Sequence, residues 1–231
     1  MRLYQYLKHN TFYTKSEINL LFKENKIMIN NEIFPLTWMV KPSDVVTVNN
    51  IVIEEVPHVY YLYNKPRGIR CDITNEAKSY INHLNIPYKV VPAGRLDVDS
   101  MGLVLLTNDG ALIKKCKDSF EKVYLVKLKN PLTSSFIKEL SKPITIKGKL
   151  TNEMKVEIID DYQIKLTLSD GKYHQIRRAV INAGNRVEEL KRIAIGPFNL
   201  DDLKEGKIKE ISFTWLVKLF SRPIYSYLGI S

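Results

Sequence analysis

The first chemistry in this chain is an aspartate in a turn bracketed by glycines. Asp97 lies in the uninterrupted run Pro92-Ala93-Gly94-Arg95-Leu96-Asp97-Val98-Asp99-Ser100-Met101-Gly102. Glycines on either side let the backbone turn tightly and approach a ligand closely. Leu103-Val104-Leu105-Leu106 follows at once, a continuous apolar run of the kind found in a strand buried on both faces. A carboxylate held on so rigid a base can serve as nucleophile, general base or metal ligand. Three further segments carry side chains that could join it: Asn64-Lys65-Pro66-Arg67-Gly68, Lys122-Val123-Tyr124-Leu125-Val126, and Asp170-Gly171-Lys172-Tyr173-His174-Gln175-Ile176-Arg177-Arg178. Singly, each has an ordinary explanation, since an Asp in a turn is commonly a turn former.

Composition narrows these options. Cys71 and Cys116 are the only cysteines, they lack metal-site spacing, and only four histidines accompany them. No metal site is therefore expected, and no disulfide framework. The chain carries no phosphate-cradling or dinucleotide fingerprint, so no cofactor is expected either. Lys and Arg number 35 against 25 Asp and Glu, a formal charge of +10, and such an excess attracts polyanions. At 231 residues and 45% hydrophobic, the chain can bury one large core or a small and a medium one. No window approaches the roughly 18 apolar residues of a membrane span, and MRLYQYLKHN lacks a signal-peptide core. The expectation is a cytoplasmic protein without a membrane partner, acting as a monomer.

The elements that must position the acid fall into two groups. Leu3, Tyr6 and Leu7 share one helical face, and Ile18, Leu21 and Phe22 repeat the spacing after Thr14. Thr14 precedes Glu17 by three residues, the pattern of a capping box. Lys26 to Ile29 reads as a short strand closed at Asn30-Asn31, and Lys41-Pro42-Ser43-Asp44 as a turn leading to a strand at Val45 to Val48. A boundary is expected near Glu54-Glu55-Val56-Pro57. Beyond it, Val59 to Tyr63 and Val123 to Leu128 read as strands, and Met154–Ile159 with Gln163–Leu168 as a hairpin across Asp160-Asp161. A helix is expected from His174 to Ala183, ended by Gly184-Asn185. Trp215 to Phe220 reads as a packing helix, and Pro223 onward as a tail. Strands predominate and helices fall irregularly among them, so the fold class is α+β, with a mixed, mainly antiparallel sheet.

Residues 1–52 resemble the S4 RNA-binding domain through Arg2-Leu3, Tyr6-Leu7, Thr14-Lys15-Ser16-Glu17, Ile27 through Asn30, and Lys41-Pro42-Ser43-Asp44 with the strand that follows. Lys15 stands where that family commonly has Arg, keeping the charge without the planar fork. The four chemistry-bearing segments, in their order, resemble the RsuA-type pseudouridine synthases over about residues 58 to 215. The likeness continues through Gly184-Asn185-Arg186-Val187, Leu190-Lys191-Arg192, Ile195-Gly196 and Asp202-Leu203-Lys204-Glu205-Gly206. Together the resemblances imply an RNA-binding domain at 1–52, a linker at 53–58 and a catalytic domain at 59–231.

The resemblance implies an enzyme that isomerises a uridine in 23S or 16S ribosomal RNA. Pseudouridine formation breaks the N1–C1′ bond, rotates the uracil and joins C5 to C1′. Asp97 takes the catalytic position, as nucleophile at C1′ or as the base that removes the C2′ proton. Tyr124 matches the active-site tyrosine, suited to packing on a flipped uracil. Arg177 is implied to be the cation that favours the ionised acid. Arg2, Lys15, Lys26, Lys65, Arg67, Arg95, Lys172 and Arg178 are expected on the RNA-binding surface. Arg192 is open between that surface and a buried structural pairing. His174 is expected to be a hydrogen-bonding support, and Asp99 to stabilise the loop. Asp99-Ser100-Met101-Gly102 is similar to the large-subunit enzymes and favours 23S, although Tyr173-His174-Gln175 is similar to the small-subunit enzyme. A non-catalytic RNA-binding or ribosome-assembly factor is the alternative. A glycosidic hydrolase would need a second carboxylate set around a water.

Overall fold

The computed structural model describes residues 1–72, 79 and 84–220. It divides into two compact units, Met1–His58 with Pro87–Lys89, and Val59–Ile86 with the chain from Val90 onward. The stretch expected as a tail from Pro223 lies outside the described residues.

In the first unit, α1 (Leu3–Asn10) buries Leu3, Tyr6 and Leu7 on one face, with Lys8 and His9 in its last turn, where cations complement the helix dipole. The capping box opens α2 (Lys15–Lys23): Thr14 accepts from the Glu17 amide, and the Glu17 carboxylate accepts from the Thr14 amide. Strand β1 (Ile27–Ile29) ends where Asn30 and Asn31 take φ of 52° and 67°, a left-handed region that asparagine visits more readily than most residues. The Asn30 side chain accepts from the Val45 amide and donates to Asp44. That bond diverts Val45 from the ladder, so β2 spans Val46–Val48, one residue shorter than expected. It pairs with β1 and with β3 (Ile51–Val52). Leu3, Leu7, Ile18, Ile27, Ile29, Val46 and Val48 form the core. Pro87–Lys89 belongs to this unit, and Lys89 Nζ donates to the Thr11 carbonyl at 3.2 Å.

The second unit is built on a nine-stranded sheet. In chain order its elements are β4 (Tyr60–Lys65), β5 (Val91–Pro92), β6 (Met101–Thr107), α3 (Gly110–Asp118), β7 (Lys122–Leu128) and α4 (Ser134–Leu140). A small separate hairpin of β8 (Thr145–Ile146) and β9 (Lys149–Leu150) follows, then β10 (Lys155–Ile158), β11 (Gln163–Leu168) and α5 (Gln175–Asn182). The unit closes with β12 (Val187–Ile195), β13 (Phe198–Asn199), β14 (Ile208–Glu210) and α6 (Phe213–Phe220). The main path runs β10-β11-β7-β12-β6-β4-β14, with β5 paired to β6 and β13 to β12. Every pairing is antiparallel except β12 with β6. The sheet is thus mixed and mainly antiparallel, as the irregular spacing of helices implied.

Leu103 to Leu106 are fully buried in β6, as their unbroken apolar run required. The hairpin expected across Asp160-Asp161 forms, with Ile158 opposite Ile164. Strand β4 runs two residues further than its apolar pattern suggested, because Asn64 and Lys65 pair with Leu103 and Gly102 and are buried. The expected packing helix is α6; it buries Leu216 and sets the Trp215 ring 6.0 Å from Phe198. Leu103, Leu105, Leu112, Ile195 and Phe198 centre one core cluster; Val126, Ile164, Leu166, Ile176 and Val180 centre another.

One glycine governs how the two halves of the sheet meet. Gly102 has φ of 103°, and a Cβ there would lie 2.2 Å from the Arg192 carbonyl oxygen. Only glycine lets β6 approach β12 this closely. That approach carries Arg192 beneath the loop that bears Asp97.

Candidate active site

The Asp97 loop leaves the sheet at β5 and returns at β6, so two paired strands fix both ends. Its tip is a tight turn in which the Ser100 amide donates to the Asp97 carbonyl at 3.0 Å. The Asn64–Gly68 segment grips this turn from one side: the Gly68 amide donates to the Val98 carbonyl at 2.8 Å. Lys65 Nζ donates to the carbonyls of Pro66 at 2.9 Å, Ile69 at 2.8 Å and Val98 at 3.4 Å. Helix α5 grips it from another: Arg177 Nη2 donates to the Asp99 carbonyl at 3.1 Å and the Ser100 hydroxyl at 3.4 Å.

The Asp97 carboxylate is left partly exposed, and its partner is His174, whose Nε2 lies 3.3 Å from Oδ1. His174 immediately precedes α5 in the left-handed conformation, φ 52° and ψ 31°. Arg177, expected as the cation beside the acid, joins the same turn through the Asp99 carbonyl and the Ser100 hydroxyl rather than through the Asp97 carboxylate. Its Nη2 makes both of those contacts, and the imidazole three residues earlier reaches the carboxylate.

Tyr124 joins the site through Arg192. The two residues are register partners on β7 and β12, and the Arg192 guanidinium carbon lies 6.0 Å from the Tyr124 ring centroid. Arg192 is 3% exposed. Its Nε donates to the Leu103 carbonyl at 2.7 Å, Nη2 to the Gly94 carbonyl at 3.1 Å, and Nη1 meets the Tyr124 hydroxyl at 3.5 Å. One buried side chain thus ties the tyrosine, the strand after the acid and the loop before it. A guanidinium does this because its donors diverge in a fixed plane.

All four chemistry-bearing segments thus converge on one loop, in a unit whose residues 59–182 match the family model described as RNA pseudouridylate synthase. The chain belongs to the RNA pseudouridylate synthase family. It is 33% identical over 232 residues to the ribosomal small subunit pseudouridine synthase A of Haemophilus influenzae, covering 95% of this chain and 99% of that protein. The Pasteurella multocida protein of the same name is 34% identical, covering 92% and 96%. The dual-specificity RNA pseudouridine synthase RluF of Escherichia coli K12 is 31% identical, covering 95% and 78%. A crystal structure of a pseudouridylate synthase, 31% identical, has a TM-score of 0.67 and covers 95% of this chain and 99% of that one.

As an RNA pseudouridylate synthase the chain is an isomerase, and the residues expected on its RNA surface separate into two sets. Arg67, Arg95 and Arg178 are exposed on the catalytic unit, as are Arg2, Lys15 and Lys26 on the first unit. Lys65 is a correction, because it is completely buried and cannot touch RNA. Burial pushes its ammonium below the usual lysine range, while Cys71, Asp97 and Asp99 oppose that shift. Lys172 is a partial one: its Nζ donates to the Leu150 carbonyl at 2.7 Å and the Asp170 carboxylate at 2.8 Å, so it ties a hairpin down.

Asp170 is a further polar anchor, accepting from Asn152, Lys172 and Gln175. Burial raises its pKa, but hydrogen bonds from Lys172, Gln175 and Asn152 outweigh that and hold it below the usual carboxylate range. No group of three or more His, Cys, Asp or Glu among the described residues could hold a metal ion, and no described helix is long and apolar enough to cross a membrane.

Proposed function

We propose that this chain converts a uridine of ribosomal RNA to pseudouridine, with Asp97 as the carboxylate that acts on the ribose. The observation that carries the reading is the Asp97 turn itself. Three hydrogen-bonded grips fix its backbone while the carboxylate stays partly exposed beside His174. Preorganisation of this kind lowers the cost of bringing a reacting group to a sugar carbon. Both routes, attack on C1′ and removal of the C2′ proton, use the carboxylate of Asp97, which His174 Nε2 approaches to 3.3 Å.

In this reading Tyr124 packs on the extruded uracil. Flipping a base costs a few kcal/mol, and an aromatic stack worth roughly 1–3 kcal/mol offsets much of it. Arg177 acts as a positioning residue for the Asp97 turn. The first unit, with Arg2, Lys15 and Lys26 exposed, serves as an S4-like RNA-binding domain, and the chain works as a monomer in the cytoplasm. For the subunit, Asp99-Ser100-Met101-Gly102 argues for 23S RNA. The full-length relatives named for the small subunit make 16S RNA the first substrate to assay beside it.

Transcribed 16S and 23S RNA, incubated with the protein and mapped for pseudouridine, test the assignment. The wild type introduces one modification; Asp97→Asn introduces none while binding the same RNA with similar affinity. Modification by Asp97→Asn at the wild-type rate would remove the acid from the mechanism.

A further inference from the structure

Among the described residues, eight non-glycine positions have positive φ: Asn25, Asn30, Asn31, Asn49, Asn50, Asp201, Lys147 and His174. Six are Asn or Asp, the types that tolerate this conformation best. The two that are not, Lys147 and His174, touch the same side chain. Tyr173 stacks on His174 with ring centroids 3.9 Å apart and planes at 15°, and Lys147 Nζ lies 5.1 Å from the centroid of the Tyr173 ring. The Arg178 guanidinium carbon lies 5.5 Å from that centroid.

We infer that Lys147 and Arg178, gathered by the Tyr173 ring, form a clamp for a backbone phosphate of the RNA strand beside the target uridine. Both cations are exposed, and neither is in an ion pair with a carboxylate among the described residues. Two like charges over one aromatic ring, neither of them in such an ion pair, leave a place for an anion. Tyr173 itself is 55% exposed, so core packing does not explain its position.

The scaffold around the clamp is built to hold it. Lys147 and Gly148, with φ of 50° and 74°, form the two-residue turn joining β8 to β9. Such turns need positive φ at both central positions and ordinarily use Asn or Gly at the first. The lysine therefore occupies its place against local preference, as residues at functional positions do. Lys172 fastens the strand end through the Leu150 carbonyl, and Asn152 bonds Asp170 and Ser169. The hairpin is thereby tethered to the turn that also presents His174 to Asp97. A phosphate held here would lie one residue of protein chain away from the contact with the acid. Phosphate contacts set the register of a strand without reading its bases.

This inference rests on the reading of the substrate as RNA. Lys147→Asn is the decisive variant, since asparagine accepts the left-handed conformation and removes the charge. Its thermal midpoint should equal or exceed the wild type, while KM for the transcribed RNA rises several-fold. The slope of log affinity against log salt should become shallower by about 0.7–0.9. Arg178→Gln should change the slope similarly. Tyr173→Ala, releasing both cations, should weaken binding about 4- to 25-fold, each cation–π contact accounting for about two- to fivefold. The loss falls on KM; if Tyr173 only steadied His174 against Asp97, it would fall on kcat. Tyr173→Phe, which keeps the ring, should retain most of the affinity. Wild-type KM and salt slope in Lys147→Asn and Arg178→Gln would overturn the clamp while the enzyme still modified its uridine. If the wild type modified neither RNA, the functional reading would fail instead.

Discussion

Arg192 offers the sharpest test of how the site is held. Its Nε bond to the Leu103 carbonyl, 2.7 Å, is short and buried, and its Nη2 bond to the Gly94 carbonyl, 3.1 Å, is partly buried. Arg192→Lys keeps the charge and loses the fork, so one ammonium can serve one of the two carbonyls. A hydrogen bond to a charged group is worth about 1.5–3 kcal/mol, and the carbonyl left behind, at least partly buried, loses its donor. The expected loss is therefore about 2–3 kcal/mol, or roughly 4–12 °C in Tm for a unit of this size. Arg192→Gln removes the charge altogether. Were Arg192 an RNA contact, that variant would lower the salt slope of RNA binding by about 0.9 and leave stability alone. We expect the reverse, an unchanged slope and a lower unfolding midpoint, measured by thermal unfolding and by RNA titration at several salt concentrations. Wild-type stability together with a reduced slope would refute the buried-strut assignment.

The other expectations follow from equally local geometry. Gly102→Ala must adopt a φ of 103° with its Cβ 2.2 Å from a backbone oxygen; strain and overpacking together should cost about 2–5 kcal/mol in denaturant unfolding, and a loss below about 0.5 kcal/mol would show that β6 and β12 part easily. Lys65→Met strips three carbonyls of their donor and should destabilise by about 1–3 kcal/mol with no change in the salt slope, whereas a surface RNA contact would show the opposite pair of results. Burial, the Asp109 charge and a hydrogen bond to Asp109 push the Tyr60 hydroxyl up to about 12. Between pH 10 and 12 the unfolded chain therefore gives up this proton first, and stability falls as pH rises. Tyr60→Phe should flatten that part of the stability profile, and an unaltered profile would clear Tyr60 of the effect.

Several features were legible because the signal and its consequence lie within a few residues. Thr14 and Glu17 close a capping box three residues apart. Leu103 to Leu106 read as a doubly covered strand, and the hairpin across Asp160-Asp161 was legible from the strand patterns on either side of it. The family was legible for a different reason: four segments in a set order resembled it, and the membership holds. What remained open were the partners of charged side chains. A lysine after a strand pattern reads as solvated, since lysine is rarely buried, yet β4 extends through Lys65 and seals it. Nothing near Lys147 in the chain marks it either, apart from a Lys-Gly turn where Asn-Gly would be more comfortable.

The sequence by itself determined the α+β class, the family and several local elements, among them the two N-terminal helices, β6 and α5. Those depend on periodicity, capping and motif order, which are properties of neighbouring residues. Only the tertiary structure decided that His174, rather than Arg177, faces Asp97, and that Arg192 is a strut. The physical reason is separation along the chain. Arg192 meets carbonyls 89 and 98 residues away, and Arg177 meets one 78 residues away. Such partners are set by which strands lie side by side, and here by one glycine that lets β6 and β12 touch.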